Sequence, residues 1–233
     1  GAYTITVSGV DVLPAIRNPI FRNSYPSAST DLYLSFAGAV VSDLNILANR
    51  IDGGSGNVTI PAYDSDGDTT TYSPAEVAQI EEIWARVAED FSPFDVNVTT
   101  VPPPGTAALQ INVGGDGAFL VASTVGFQAI QGSFSDPLLA NIGFAFPNNI
   151  QAAAPTDPQH IAYNVSSSIA TLFGLGTHPL YNSLGTQVAA LDPGGLEVGP
   201  ILGAPTNSLR DVWVNAPNDD GPGVFQDDLA AIT

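Results

Sequence analysis

Asn164-Val-Ser-Ser-Ser-Ile-Ala-Thr-Leu-Phe-Gly-Leu-Gly-Thr-His178 holds the strongest local signal in this chain. Ile161, Val165, Ile169, Leu172 and Phe173 recur at spacings of three and four, which predicts a helix with one apolar face. Gly174 and Gly176 end it. The polar residues within and just after it are almost all hydroxyls: Ser166, Ser167, Ser168, Thr171 and Thr177. Small hydroxyl side chains suit close packing, and they can bond back to the carbonyl four residues earlier. A nucleophilic serine would need a base within hydrogen-bond reach and an oxyanion hole. No G-x-S-x-G elbow surrounds these serines.

Upstream, Ser73-Pro-Ala-Glu76 predicts a second helix. Ser73 caps it, Pro74 suits its first position and Glu76 completes a capping box. Val77, Ile80, Ile83, Trp84, Val87 and Phe91 form its apolar stripe, and Pro93 stops it. Strands are expected at residues 3–7, 32–36, 58–60, 95–101 and 108–113. Gly53-Gly-Ser-Gly56 and the three prolines from Pro102 read as turns. Residues 118–158 read as short strands and loops. The chain beyond Pro179 reads as loop-rich, with a short terminal helix at 227–232. No repeat, linker or second domain is evident.

Charge sets the next limits. The chain has 23 acidic residues against 5 basic ones, all arginine, for a net charge of −18 over 233 residues. Such a surface repels nucleic acid and suits high salt or divalent cations. There is no lysine, cysteine or methionine. Isopeptide, Schiff-base and thiol chemistry are therefore excluded. The lack of methionine leads us to expect an exported chain, processed at its N-terminus. The apolar content of 44% supplies a core, and no run of about 18 apolar residues predicts membrane insertion.

Several blocks together resemble the bacterial secreted metzincin-type, reprolysin-like metallopeptidases. The likeness runs from about Asn23 to Thr233. Its most specific parts are Tyr63-Asp-Ser-Asp-Gly-Asp68 and Ile83-Trp-Ala-Arg-Val-Ala-Glu-Asp-Phe-Ser-Pro-Phe-Asp-Val-Asn-Val-Thr-Thr100, with Gly114-Gly-Asp-Gly117 and Trp213 in support. The resemblance implies an α+β, zincin-like fold: a twisted mixed sheet, two main helices and a loop-rich C-terminal part. It also implies where a zinc site would stand. With the signature H-E-x-x-H-x-x-G-x-x-H placed on Gly174, its histidines fall on Ser167, Thr171 and Thr177, and its glutamate on Ser168. Leu202, in Gly199-Pro-Ile-Leu-Gly203, takes the place of the Met-turn methionine. The catalytic positions are thus degenerate, and the expectation is no zinc and no peptidase activity.

Two histidines remain, His160 and His178, neither in a ligand position. Asp64, Asp66 and Asp68 alternate and could bind Ca²⁺, although their spacing is not that of an EF-hand. Asn57, Asn97 and Asn164 open N-x-[ST] sequons. Residues 1–22 lie outside the resemblance and read as an N-terminal arm, followed by one domain over 23–233. Tyr3, Ile5 and Val7 in that arm could add a strand to a neighbouring copy. The expected function is a non-catalytic structural subunit, extracellular or on the cell surface, that assembles with copies of itself into a filament or layer. The alternatives are a pseudoenzyme that binds a peptide or glycan and, third, a residual metallopeptidase.

Overall fold

The computed structural model describes residues 20–41, 57–104, 109–120, 124–136, 139–150, 157–205 and 207–232. The strand expected over 3–7, with Tyr3, Ile5 and Val7, and the turn at 53–56 lie outside these residues.

The helix α1, Pro74–Asp90, starts as its sequence dictates. The Ser73 hydroxyl accepts from the Glu76 amide, and the Glu76 carboxylate accepts from the Ser73 amide. The apolar stripe buries Ile80, Ile83 and Val87. The second helix, α2, spans Pro158–Leu172, with Asp157 as its cap and Gly174 in the left-handed region just after it.

Strands β1 (Thr30–Ser35), β4 (Val96–Thr99), β5 (Leu109–Val113), β6 (Phe127–Gln128) and β7 (Ile142–Ala145) form one sheet in the order β4-β1-β5-β7-β6. The first four are parallel, and β6 joins β7 antiparallel. The fold is therefore mixed α/β, with a mixed sheet and, among the described residues, three α-helices, the third being α3 at Asp228–Ile232. Leu32, Leu34, Val98, Leu109 and Ile111 pack with both long helices in one apolar core. Alternation sends Phe144 to the opposite face. There it packs with Phe146, Leu120 and the hairpin of β2 (Ala39–Val41) and β3 (Val58–Ile60).

Gly143 in β7 brings α2 close to the sheet. A Cβ there would collide with the Ser168 hydroxyl and the Ile111 side chain. The small residues of α2 and β7 are thus two halves of one contact.

At the other sheet edge, residues 20–24 run antiparallel to β4. The Ser24 amide donates to the Val98 carbonyl at 3.1 Å, and the Thr100 amide to the Arg22 carbonyl at 3.0 Å. Arg22 also pairs with Glu81 of α1. The last residues of the expected arm therefore lie on this chain's own sheet.

Beyond α2 the chain is loop-rich as expected, and within it stand short two-stranded ribbons. They are β8 (Leu180–Tyr181) with β9 (Gln187–Ala189), β10 (Val198–Pro200) with β11 (Arg210–Val212), and β12 (Asn215–Pro217) with β13 (Phe225–Asp227). Among the described residues, no helix is long and apolar enough to cross a membrane.

Candidate functional site

Successive residues of a helix point about 100° apart, so the three serines of α2 face three different neighbours. The Ser166 hydroxyl donates to Asp90 Oδ2 at 2.6 Å, at the end of α1. Ser167 donates to the Ile201 carbonyl at 2.7 Å. Ser168 donates to the Gln128 carbonyl of β6 at 3.4 Å. Thr171 bonds back to the Ser167 carbonyl at 2.9 Å. The serines are buried and satisfied, which is what small polar groups inside a packed layer require.

The turn carrying Leu202 passes beneath Ser167, and Leu202 packs with Ala170 and Leu175. Ser167, Thr171 and Leu202 are therefore neighbours in space, with Thr177 one residue before buried His178. Zinc takes imidazole, thiolate or carboxylate ligands. Here the Ser167 and Thr171 hydroxyl protons go to carbonyl oxygens, Thr177 offers only a hydroxyl, and Leu202 is apolar. This donor set does not fit zinc.

The histidines are held apart from that centre by carboxylates. His160 Nδ1 lies 2.7 Å from Asp157 Oδ2 in the first turn of α2. His178, 1% exposed, places Nδ1 3.0 Å from the Pro217 carbonyl and Nε2 3.0 Å from Oδ1 of fully buried Asp228. Both ring nitrogens face acceptors, so the geometry calls for an imidazolium opposite a carboxylate. Burial alone would lower the His178 pKa. The hydrogen bonds to Asp228 and Pro217 and the Asp228 charge outweigh it and raise the pKa. Asp228 also accepts from the Val214 amide and the Gln226 side chain. The His178 amide donates to the Leu202 carbonyl at 2.8 Å. This residue ties the ribbons to the turn under α2.

A pair of carboxyls beside the serines was not legible in the sequence. Asp90 ends α1 and Asp211 stands in β11. Burial pushes Asp90 up to about 8, with the Ser166 hydroxyl acting against it and the Asp211 charge adding to it. Burial likewise lifts Asp211 to about 6, against the pull of Arg86 and His160. Its Oδ1 is buried with no hydrogen-bond partner. The Trp213 indole donates to the Asp90 carbonyl at 2.6 Å, so α1, α2 and β11 meet here.

The Asp64–Asp68 loop packs against the start of α1. Carboxylate oxygens of Asp64, Asp66 and Glu76 lie within 4.8 Å of one another, the one such group among the described residues. A calcium ion reaches oxygens at about 2.4 Å, so three at this separation can share one. Asp68, the third ligand expected from the sequence, is not in the group. Its carboxylate accepts from the Thr70 hydroxyl and amide and the Thr71 hydroxyl. Those bonds hold its pKa down to about 2. Glu76 takes its place because the chain folds back: besides capping α1, it accepts from the Ser65 amide at 2.8 Å. The loop also closes on itself, with Asp64 Oδ1 accepting from the amides of Asp66 and Gly67.

Asn97 and Asn164 are buried, with their amides hydrogen-bonded inside the fold; Asn57 is exposed. A cavity of about 350 Å³ opens over β3 and the Gly114–Gly117 loop. One of about 410 Å³ lies below the C-terminal ends of both long helices. Neither is lined by Ser167, Thr171 or Leu202. Comparison with protein-family models, with curated proteins and with solved structures finds no match for the chain.

Proposed function

We propose that this protein is a non-catalytic structural subunit, exported from the cell, that associates with copies of itself on a metzincin-like scaffold whose metal positions have been replaced. The scaffold part rests on α2, which carries the peptidase frame without its ligands, and on the Leu202 turn that closes beneath it. Ser167, in a former ligand position, bonds the Ile201 carbonyl of the turn below instead of a metal, and Thr171 bonds back within α2.

The observation that carries self-association is the distribution of exposed apolar side chains. Among the described residues, eight of the twelve large exposed ones lie between Leu184 and Leu229. Val188, Val198 and Phe225 stand on two-stranded ribbons, Leu184, Leu196, Leu209 and Val224 in the turns beside them, and Leu229 on α3; the outer edges of such ribbons offer backbone groups for pairing with another chain. Leu196, Val198 and Leu209 stand together, because the Leu209 amide bonds the Leu196 carbonyl beside the β10–β11 pair. An exposed apolar surface on a chain of charge −18 suits association that strengthens as salt screens repulsion.

Sedimentation velocity and negative-stain microscopy across salt concentrations test the reading. The expected outcome is reversible association that grows with salt and is lost in Leu196→Ser/Leu209→Ser. A monomer at every salt and protein concentration overturns it. Removing residues 1–12 separates the arm from the ribbons: a monomer assigns the contact to Tyr3, Ile5 and Val7, and persistent polymer assigns it to the ribbons. Stoichiometric zinc with chelator-sensitive cleavage of casein would instead support a peptidase.

A further inference from the structure

The cavity below the helices is a second site, independent of self-association. Phe94, Phe134, Phe173 and Ile232 form its apolar lining, and Ser29, Thr30 and Asp95 form its polar side. Phe134 and Phe173 meet edge to face at 4.8 Å between centroids. Phe94 backs onto Phe91 and Trp213, at 5.9 and 6.0 Å, so the inner wall is firmly packed. Phe134 is 41% exposed and stands at the rim.

The electrostatics of this pocket have one sign. Phe94 follows the C-terminus of α1, and Phe173 is the C-cap of α2. Residues just beyond both helix C-termini therefore line one cavity, and each terminus is equivalent to about half a negative charge. A helix normally favours a cation there. Neither helix has a basic residue in its last turn. Asp95 instead adds a carboxylate to the lining, and among the described residues no arginine lines the pocket. Aromatic faces attract cations further, and a net charge of −18 concentrates them near the surface.

We propose that this cavity binds a small organic cation: an ammonium, amidinium or guanidinium group on a flat or aliphatic apolar body. The body fills the space between Phe94, Phe134 and Phe173, and the charge lies toward Asp95 and the helix ends. Among the described residues, the lining supplies no donor for an anion beyond the Ser29 and Thr30 hydroxyls and local backbone amides, so carboxylates of the same shape are rejected.

Benzamidine, benzamide and benzoate have nearly the same shape and differ in charge, so they separate the terms. Each is titrated into the full chain and followed by amide NMR shifts of residues 29–30, 93–96, 134 and 173. Benzamidine is expected to bind at least tenfold more tightly than benzamide, with benzoate inert. Its affinity should fall with added salt. Asp95→Asn, at an exposed position, weakens it about threefold. Phe134→Ala weakens it about tenfold. Equal binding of benzamidine and benzamide overturns the proposal, because the site is then only an apolar hole. No shift at these residues with 10 mM benzamidine, as an order-of-magnitude ceiling for a specific site, overturns it too.

Discussion

The sheet with its two helices and the ribbons that follow α2 are stabilised in different ways. The first region hides its apolar residues: one core runs from Leu32 through Ile83 to Ile169, and a second lies behind Phe144. The second region exposes them, and its own apolar cluster amounts to Ala170, Leu175 and Leu202 with three partly buried neighbours. Buried polar anchors hold it down instead. His178 meets Asp228, the Gln226 side chain accepts from the Gly176 amide and donates to its carbonyl, and the Ser208 hydroxyl bonds the Gly195 carbonyl. Apolar burial is spread over many contacts and degrades gradually. A polar anchor is concentrated, so losing one partner leaves the other buried and unpaired.

The sharpest way to break this contrast is to cut the strongest anchor. His178→Ala should cost about 3–5 kcal/mol in denaturant unfolding, because Asp228 is left as an uncompensated buried charge. Hydrogen exchange should rise first over residues 178–228, while β1, β4 and β5 stay protected. Uniform exchange across both regions would mean that the ribbons are no less firmly held than the sheet.

The next largest effect is expected from pH. Asp90 is held neutral in the fold up to about 8, yet ionises near 3.8 when unfolded. The folded state therefore binds the extra proton between those values, and stability falls as pH climbs through that range. Asp211 acts in the same direction between 3.8 and about 6. His178 does too: its contribution is full below 6.5 and is lost as pH rises through its higher folded value. Asp90→Asn should thus raise the melting temperature at pH 9, by on the order of a few kcal/mol in stability, and change little at pH 4. Melting curves of wild type and variant that run parallel across pH would remove the carboxyl pair from the junction.

At the opposite end of α1, Ser73→Ala should cost about 1 kcal/mol through loss of the cap. The same corner gives a direct test of cation binding. Calcium at a hundredfold excess over its dissociation constant would add about 2.7 kcal/mol, and Asp66→Asn should abolish that shift while Asp68→Asn keeps it. The smallest effect on folding is expected at the ribbon surface. Leu196→Ser and Leu209→Ser should leave monomer stability within about 0.5 kcal/mol while removing association, the mirror image of a core substitution such as Ile83→Ala.

Much of the first region was legible because its signals are local. The Ser73-Pro-Ala-Glu76 start and the 3.6-residue stripe of α1 depend on neighbours within a few positions, and so does the Gly174 stop of α2. The ribbons were read as loops, since strands of two or three residues carry almost no periodicity. In the sequence Asp228 reads only as part of the short terminal helix expected over 227–232. Nothing within several residues says that it closes on His178 fifty positions earlier.

By itself the sequence determined the two long helices, the strands that follow the first of them, the acidic composition and the absence of imidazoles from Ser167, Thr171 and Thr177. Only the tertiary structure decided what stands there instead: three serines turned to three different neighbours, and a leucine packed on the helix. It also chose Glu76 over Asp68 in the acidic group, paired Asp90 with Asp211, and brought two helix ends to one aromatic cavity. Capping and stripes are set by backbone geometry over a few residues. Burial, pairing and electrostatic field depend on which distant segments pack together, and that is decided by the whole chain at once.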